Sequence, residues 1–314
     1  MHFHTQHSLL MGKRTMPDIT YGLKLNFSQR AKRAGLLLIG LIWVSFGMAY
    51  AAAAQNTFVA RYQDRVAATL VNQPHWATPL VTVNARIEQG FRSDFVRQTA
   101  PSGQKSWNYG NSKGLQFIPL PRLEIRISPP PFLAHYDGQS VDGFGDFAVR
   151  GKVRLYGSNE QHHNTIATAE LGATMPTGKN GNGSCCAILT PTLELGKGYG
   201  KFAVTTSVGG SLPLSNSAKL GRSIVWNNAF QYHATRFVWI EDEFNSTFYV
   251  GGTNDGRQQT FNTPGIFLSR IPLVRGPQGK GDVLSLTVGA GEQIALTHFN
   301  TYNHSPIFTA RLRF

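Results

Sequence analysis

Along most of its length the chain alternates apolar and polar residues with a period of two. Over 144–156, Phe147, Val149, Gly151, Val153 and Leu155 share one parity, and Asp146, Ala148, Arg150, Lys152 and Arg154 share the other. Leu123, Ile125 and Ile127 alternate in the same way with Arg122, Glu124 and Arg126. The pattern returns over 166–175, 201–208 and 284–290. A period of two is the signature of a strand with one apolar and one polar face. Glycine-rich breakers near 157–159, 178–183, 198–200, 251–256 and 276–279 separate the runs. Strands are predicted near 81–96, 112–118, 121–128, 143–156, 164–176, 187–197, 200–212, 221–233, 235–250, 262–272, 282–296 and 305–314. The run 235–250 breaks parity at Asp242, which predicts a bulge or an inner-wall kink there. One stretch departs from the two-residue period. Phe58, Tyr62, Val66 and Leu70 recur every fourth residue, which predicts an amphipathic helix over 57–70, ended at the latest by Pro74.

Alternating strands fit a soluble sandwich, which buries its apolar faces between two sheets, or a membrane barrel, which turns them outward to lipid. Three features favour the barrel. Charges stack on one face of single strands while glycine and alanine dilute the other. Aromatics crowd the predicted strand ends (Phe91, Phe95, Tyr199, Phe202, Tyr232, Phe237, Trp239, Phe248 and Tyr249), as in interfacial girdles. Short connections alternate with longer ones at 97–111, 129–142, 177–186, 213–220 and 251–261. The predicted fold is all-β: an antiparallel transmembrane β-barrel of roughly 12 strands with a short N-terminal helix. The last strand places Phe308, Ala310, Leu312 and Phe314 on one face, ending on an aromatic. This resembles the recognition strand read by the barrel-assembly machinery.

Composition refines this picture. The 314 residues are only 15% charged, against ~25% in soluble domains, and carry a net charge of +13. Arg30, Lys32 and Arg33 precede an apolar run from Gly35 to Val44, and small residues follow at Ala51–Ala54. That is the layout of a signal peptide over 1–54, cleaved near Ala54. Six of the 30 basic and one of the 17 acidic residues lie within it, so the mature chain carries +8. An exported chain with that charge has no nucleic acid as partner. The expected organisation is a 55–80 periplasmic segment with the helix, then a barrel over 81–314 in the outer membrane of a Gram-negative bacterium. Outer-membrane lipid and lipopolysaccharide would surround it.

Parity assigns a set of charges to the barrel interior: Arg86, Glu88, Arg122, Glu124, Arg126, Asp146, Arg150, Lys152, Arg154, Glu170, Glu194, Arg311 and Arg313. Desolvated charges need partners, so a mutually paired network is one reading. An electropositive pore lining that favours anions is the other. Three further groups carry chemistry in principle. Cys185-Cys186 is a vicinal pair with no third soft ligand nearby in sequence. His162-His163 lies near Glu160 in a polar turn. His304-Ser305 pairs a base with a nucleophile type, but sequence adjacency does not bring the two within hydrogen-bond reach. No cofactor, metal or catalytic site is predicted, and the chain is read as a non-enzyme.

Several runs resemble a known family. They are Leu120-Pro121-Arg122-Leu123-Glu124-Ile125-Arg126-Ile127, the Gly143-Phe144-Gly145-Asp146 start of a basic strand, and Pro176-Thr177-Gly178. They are similar to the outer-membrane family labelled for the meta pathway of phenol degradation, often called transporter-like. The resemblance covers about residues 80–314. It implies an outer-membrane barrel that moves small, hydrophobic or aromatic compounds. The function expected from the residues and the resemblance together is a passive channel for a small-molecule solute. The alternatives are a closed structural or surface-binding barrel and, with less support, an outer-membrane lipid hydrolase.

Overall fold

The computed structural model describes residues 57–276 and 282–314. The signal segment and its cleavage point lie outside the described residues. The described chain opens with helix α1 (Thr57–Val71). Strands follow: β1 (Gly90–Thr99), β2 (Lys105–Gly110), β3 (Leu115–Leu120), β4 (Leu123–Ser128), β5 (Phe132–His135), β6 (Gly143–Phe144), β7 (Phe147–Ser158), β8 (Thr165–Met175), β9 (Ile188–Tyr199) and β10 (Phe202–Pro213). A single helical turn, α2 (Ser217–Leu220), precedes β11 (Arg222–His233), β12 (Val238–Val250), β13 (Gln258–Arg275), β14 (Asp282–Ala295) and β15 (His304–Arg313). All pairings are antiparallel, and β15 pairs with β1 from Gly90↔Arg313 to Thr99↔His304, closing the sheet.

The closed wall has 12 strand positions, because three of them are split in two. β1 pairs with β3 at one end and with β2 at the other, so β2 and β3 are halves of one wall strand. β4 and β5 form the next, and β6 and β7 the one after. Each split has a local cause. Asn111 and Ser112 turn to φ 45° and 51° between β2 and β3, a conformation that Asn tolerates better than most residues. Pro129-Pro130-Pro131 separates β4 from β5, where proline cannot donate to the ladder. Gly145-Asp146 separates β6 from β7. Opposite these breaks, Gly114 is held so close to β4 that an added Cβ would lie 2.1 Å from the Ile127 carbonyl oxygen.

The alternation behaves as a barrel requires. On β7, Val153 and Leu155 are exposed while Lys152 and Arg154 are buried. On β15, Ser305, Ile307, Thr309 and Arg311 are buried and Phe308 is exposed. Connections alternate as well. Those at the end carrying the C-terminus are short (121–122, 159–164, 200–201, 234–237) and those at the other end are mostly longer (136–142, 176–187, 214–221, 251–257, 296–303). No described helix is long and apolar enough to cross a membrane.

Three expectations need correction. The first strand does not begin near 81; it begins at Gly90. The β12 ladder runs without a register shift, so Asp242 needs no bulge. It stays on the outer face, where Asn262 Nδ2 donates to its Oδ1 at 2.5 Å. On the neighbouring strand β13 the register does shift, first between Leu268 and Ile271. Trp239, grouped with the girdle aromatics, faces inward, is buried, and stacks on His233 with ring centroids 4.2 Å apart.

Candidate functional site: an occupied lumen

Residues 72–89 contact strands all around the ring. Gly196 and Gly198 on β9 leave room for the Trp76 indole, since an added Cβ there would fall 2.6 and 2.8 Å from it. Leu80 presses on Gly265 of β13 and Gly291 of β14. Arg92 of β1 and Arg311 of β15 donate to the Pro79 carbonyl, and Lys152 of β7 donates to that of Asn84. Only the interior of a closed ring is within reach of β1, β7, β9, β13, β14 and β15 at once. The segment therefore fills the lumen and takes no place in the wall. Helix α1 follows it inward: Val66 and Leu70 bury against Ile87 of the segment and Ile118 of β3, and Tyr62 Oη donates to Gln89 at 2.7 Å. Burial of an aliphatic side chain stabilises by ~1.5–3 kcal/mol. Leu80 supplies such burial, and Trp76, Ala77 and Ala85 pack with it against Val96, Ile166, Ala203, Trp239, Phe267 and Ile307 of the wall.

An extended segment in a barrel has backbone groups that no ladder satisfies, and buried backbone donors need partners. Side chains supply them. Glu241 Oε1 accepts from the Leu80 amide at 3.0 Å. Glu243 takes the next two amides, Val81 at 2.9 Å on Oε1 and Thr82 at 2.5 Å on Oε2. Arginines serve the carbonyls: Arg92 reaches Pro79 and Leu80 while its own charge is paired with Asp94 at 2.8 Å. Arg311 reaches Thr78 and Pro79, and Arg154 reaches Thr69 at 2.7 Å.

The inward charges predicted from parity divide into three groups. Arg86 and Glu88 are buried in the interior but belong to the segment; they pair at 2.6 Å. Glu124, Arg126, Arg150, Lys152, Glu170 and Glu194 form one wall network. Lys152 lies 3.4 Å from Glu170 and 3.2 Å from Glu194. Arg150 contacts Glu170 at 3.0 Å, and Arg126 contacts Glu124 at 3.2 Å. Arg154 holds the end of helix α1 at Thr69, Arg311 holds the segment, and Arg313 lines a cavity beside it. Two residues leave the set. Arg122 is exposed in the β3–β4 turn at φ 71°, because the two-residue reversal falls on it and breaks the parity. Asp146 sits in the Gly145-Asp146 break and fastens a loop: Gly178 N donates to Oδ1 at 2.9 Å, and Ser184 N and Oγ donate to Oδ2 at 2.6 and 2.7 Å.

Sequence reasoning missed Glu241, Glu243, Arg92, Asp94 and Arg270. A signal for the two glutamates exists in retrospect. Trp239, Glu241, Glu243 and Asn245 share a parity opposite Ile240 and Phe244, and the intervening Asp242 obscures it.

The remaining candidates do not assemble catalytic or metal geometry. Cys185 and Cys186 are free thiols with sulfurs 3.7 Å apart, one exposed and one buried. No group of three or more metal-binding side chains occurs among the described residues. Glu160 faces His75 at 3.0 Å rather than the His162-His163 pair. Burial works to raise the Glu160 carboxyl, and the hydrogen bonds from the His75 ring and amide outweigh it and hold it at about 2. His304 is exposed and pairs with Glu292 at 3.3 Å. Ser305 points to the opposite face, fully buried, and its hydroxyl has no partner among the described residues.

No family model matches the chain, and no curated protein matches it. Solved structures do. An outer membrane channel from Pseudomonas putida F1 is 13% identical, covering 73% of this chain and 96% of that one, with a TM-score of 0.50. The NanC porin is 7% identical, covering 72% and 98%, with a TM-score of 0.46. The first of these likenesses supports the fold, a closed 12-strand antiparallel barrel with one short N-terminal helix.

Proposed function

We propose that the chain is a small-molecule channel of the Gram-negative outer membrane, closed at rest by its own residues 72–89. The observation that carries this reading is the way the segment is held. Its backbone is bonded to side chains of the wall, among them Glu241, Glu243, Arg92 and Arg311, and not incorporated into the sheet. Each such hydrogen bond to a charged group contributes ~1.5–3 kcal/mol. The segment can thus shift without unpairing a strand, and its departure uncovers a lumen lined by charge. The exposed apolar outer face (Leu155, Leu171, Leu193, Leu195, Ile240, Ile266) suits lipid. The 308–314 face suits the assembly machinery. A small hydrophobic or aromatic solute rests on the family resemblance, and the charged lining adds a preference for solutes that carry an anionic group.

Liposome swelling and planar-bilayer recording test the reading. The full mature chain is expected to conduct in brief openings, and Glu243→Gln to lengthen them. Glutamine offers one acceptor where the glutamate serves two amides, so one N–H faces an NH2 group. Silence from both proteins would favour the closed structural barrel, because the segment would then be a permanent core.

A further inference from the structure

A cavity of about 50 Å³ lies between the segment and the wall at the end carrying the C-terminus. A water site needs roughly 10–15 Å³ by the same kind of measure, so the space is sized for a few waters or one small polyatomic group. Four arginines line it: Arg86, Arg270, Arg311 and Arg313. The one lining carboxylate, Glu88, is already paired with Arg86 at 2.6 Å. Hydroxyls of Ser269, Ser285 and Thr287 complete the polar wall.

Arg270 is there because of a strained device. Inward residues on β13 are odd-numbered through Thr263, Phe267 and Ser269, while Pro264, Ile266 and Leu268 face out. Continued alternation would turn Arg270 to the lipid. The register shift between Leu268 and Ile271 inserts one extra residue, and a bulge of this kind re-aims a side chain. Arg270 adopts φ 57° to do so, which costs a non-glycine residue ~1–2 kcal/mol. Its amide is satisfied by Thr287 Oγ1 at 3.1 Å. Among the described residues, no hydrogen bond or ion pair reaches its guanidinium. Arg86 Nε is buried and has no hydrogen-bond partner among the described residues. Strain held at one residue, combined with uncommitted guanidinium donors facing a cavity, is an arrangement that a ligand completes.

We propose that this cavity is a binding site for one oxyanion, a phosphate or carboxylate group, with Arg270 as its principal donor and Arg86 and Arg313 beside it. The anion sits against the inner segment, so the site joins solute chemistry to the element that closes the lumen. The proposal deepens the channel reading but does not depend on conductance.

Isothermal titration of the full mature chain in detergent tests it, with inorganic phosphate and benzoate as probes at constant ionic strength set by chloride. Saturable binding is expected for at least one probe. Arg270→Gln should weaken it at least tenfold, and Arg270→Lys should recover part of the loss, since lysine keeps the charge but not the fork. Heat-modifiable gel migration of both variants shows that the barrel has formed. Absence of saturable binding by the parent overturns the proposal, as does Arg270→Gln binding as tightly as the parent. Binding without conductance would sink the channel reading and leave the site standing; conductance without binding would do the reverse.

Discussion

Two sides of the lumen carry acids at equivalent inward positions and use them differently. On the β7–β9 side, Glu170 and Glu194 close on Lys152, which gives the segment a single contact, at the Asn84 carbonyl. On the β12 side, Glu241 and Glu243 face no cation of the wall within ion-pair distance among the described residues; they take three consecutive amides of the segment. Glu170 and Glu194, which share Lys152, are spent on the wall. Glu124 stands between the two cases: it pairs with Arg126 at 3.2 Å and still accepts from the Glu88 amide of the segment at 2.7 Å.

Substitutions separate the two sides. Lys152→Met should have the largest effect. It leaves Glu170 and Glu194 buried without their shared cation, and removing one partner of a buried pair costs ~3–5 kcal/mol. Urea-driven loss of the compact gel form should move to clearly lower concentration. An unchanged midpoint would show that the wall network is not what holds that side.

Glu243→Gln should act on the segment and spare the wall. The expected loss is ~1.5–3 kcal/mol of local hold, seen as faster protease cleavage within 57–89 with the urea midpoint little changed. Equal loss at both readouts would erase the distinction between the two sides.

A smaller effect concerns the tether where the segment enters. Glu160 sits at about 2 in the fold, below the ~4.3 of a free glutamate. Its contribution is present above about 4.3 and fades as pH falls toward 2. Trp76, adjacent to His75, should report this as a fluorescence change over that window, absent in Glu160→Gln. A change centred near pH 6–7 instead would implicate a histidine.

Much of the wall was legible in the sequence because a two-faced strand writes its orientation into every second residue. The charged runs of β4 and β7 and the alternation of β15 are cases in point. The interior was less legible. Arg86 and Glu88 alternate as a strand would, yet the run is an irregular insert whose partners come from distant strands. Its backbone bonds come from residues more than 160 positions away, such as Glu241 and Glu243. Arg270 was hidden for the opposite reason: parity places it on the outer face, and only the bulge turns it inward. Local patterning reports which face a residue shows to the wall, and not which groups meet inside a closed one.

In the proposed function, residues 72–89 both fill the lumen and control passage. Asn245 Nδ2 lies 3.2 Å from Thr82 Oγ1, so Thr82→Cys with Asn245→Cys places a removable tether between segment and wall. Cys185 and Cys186 are replaced by serine in the same chain. Single-channel recording of the oxidised protein should be silent, with openings restored by reductant. Equal current before and after reduction would mean that the segment does not control passage.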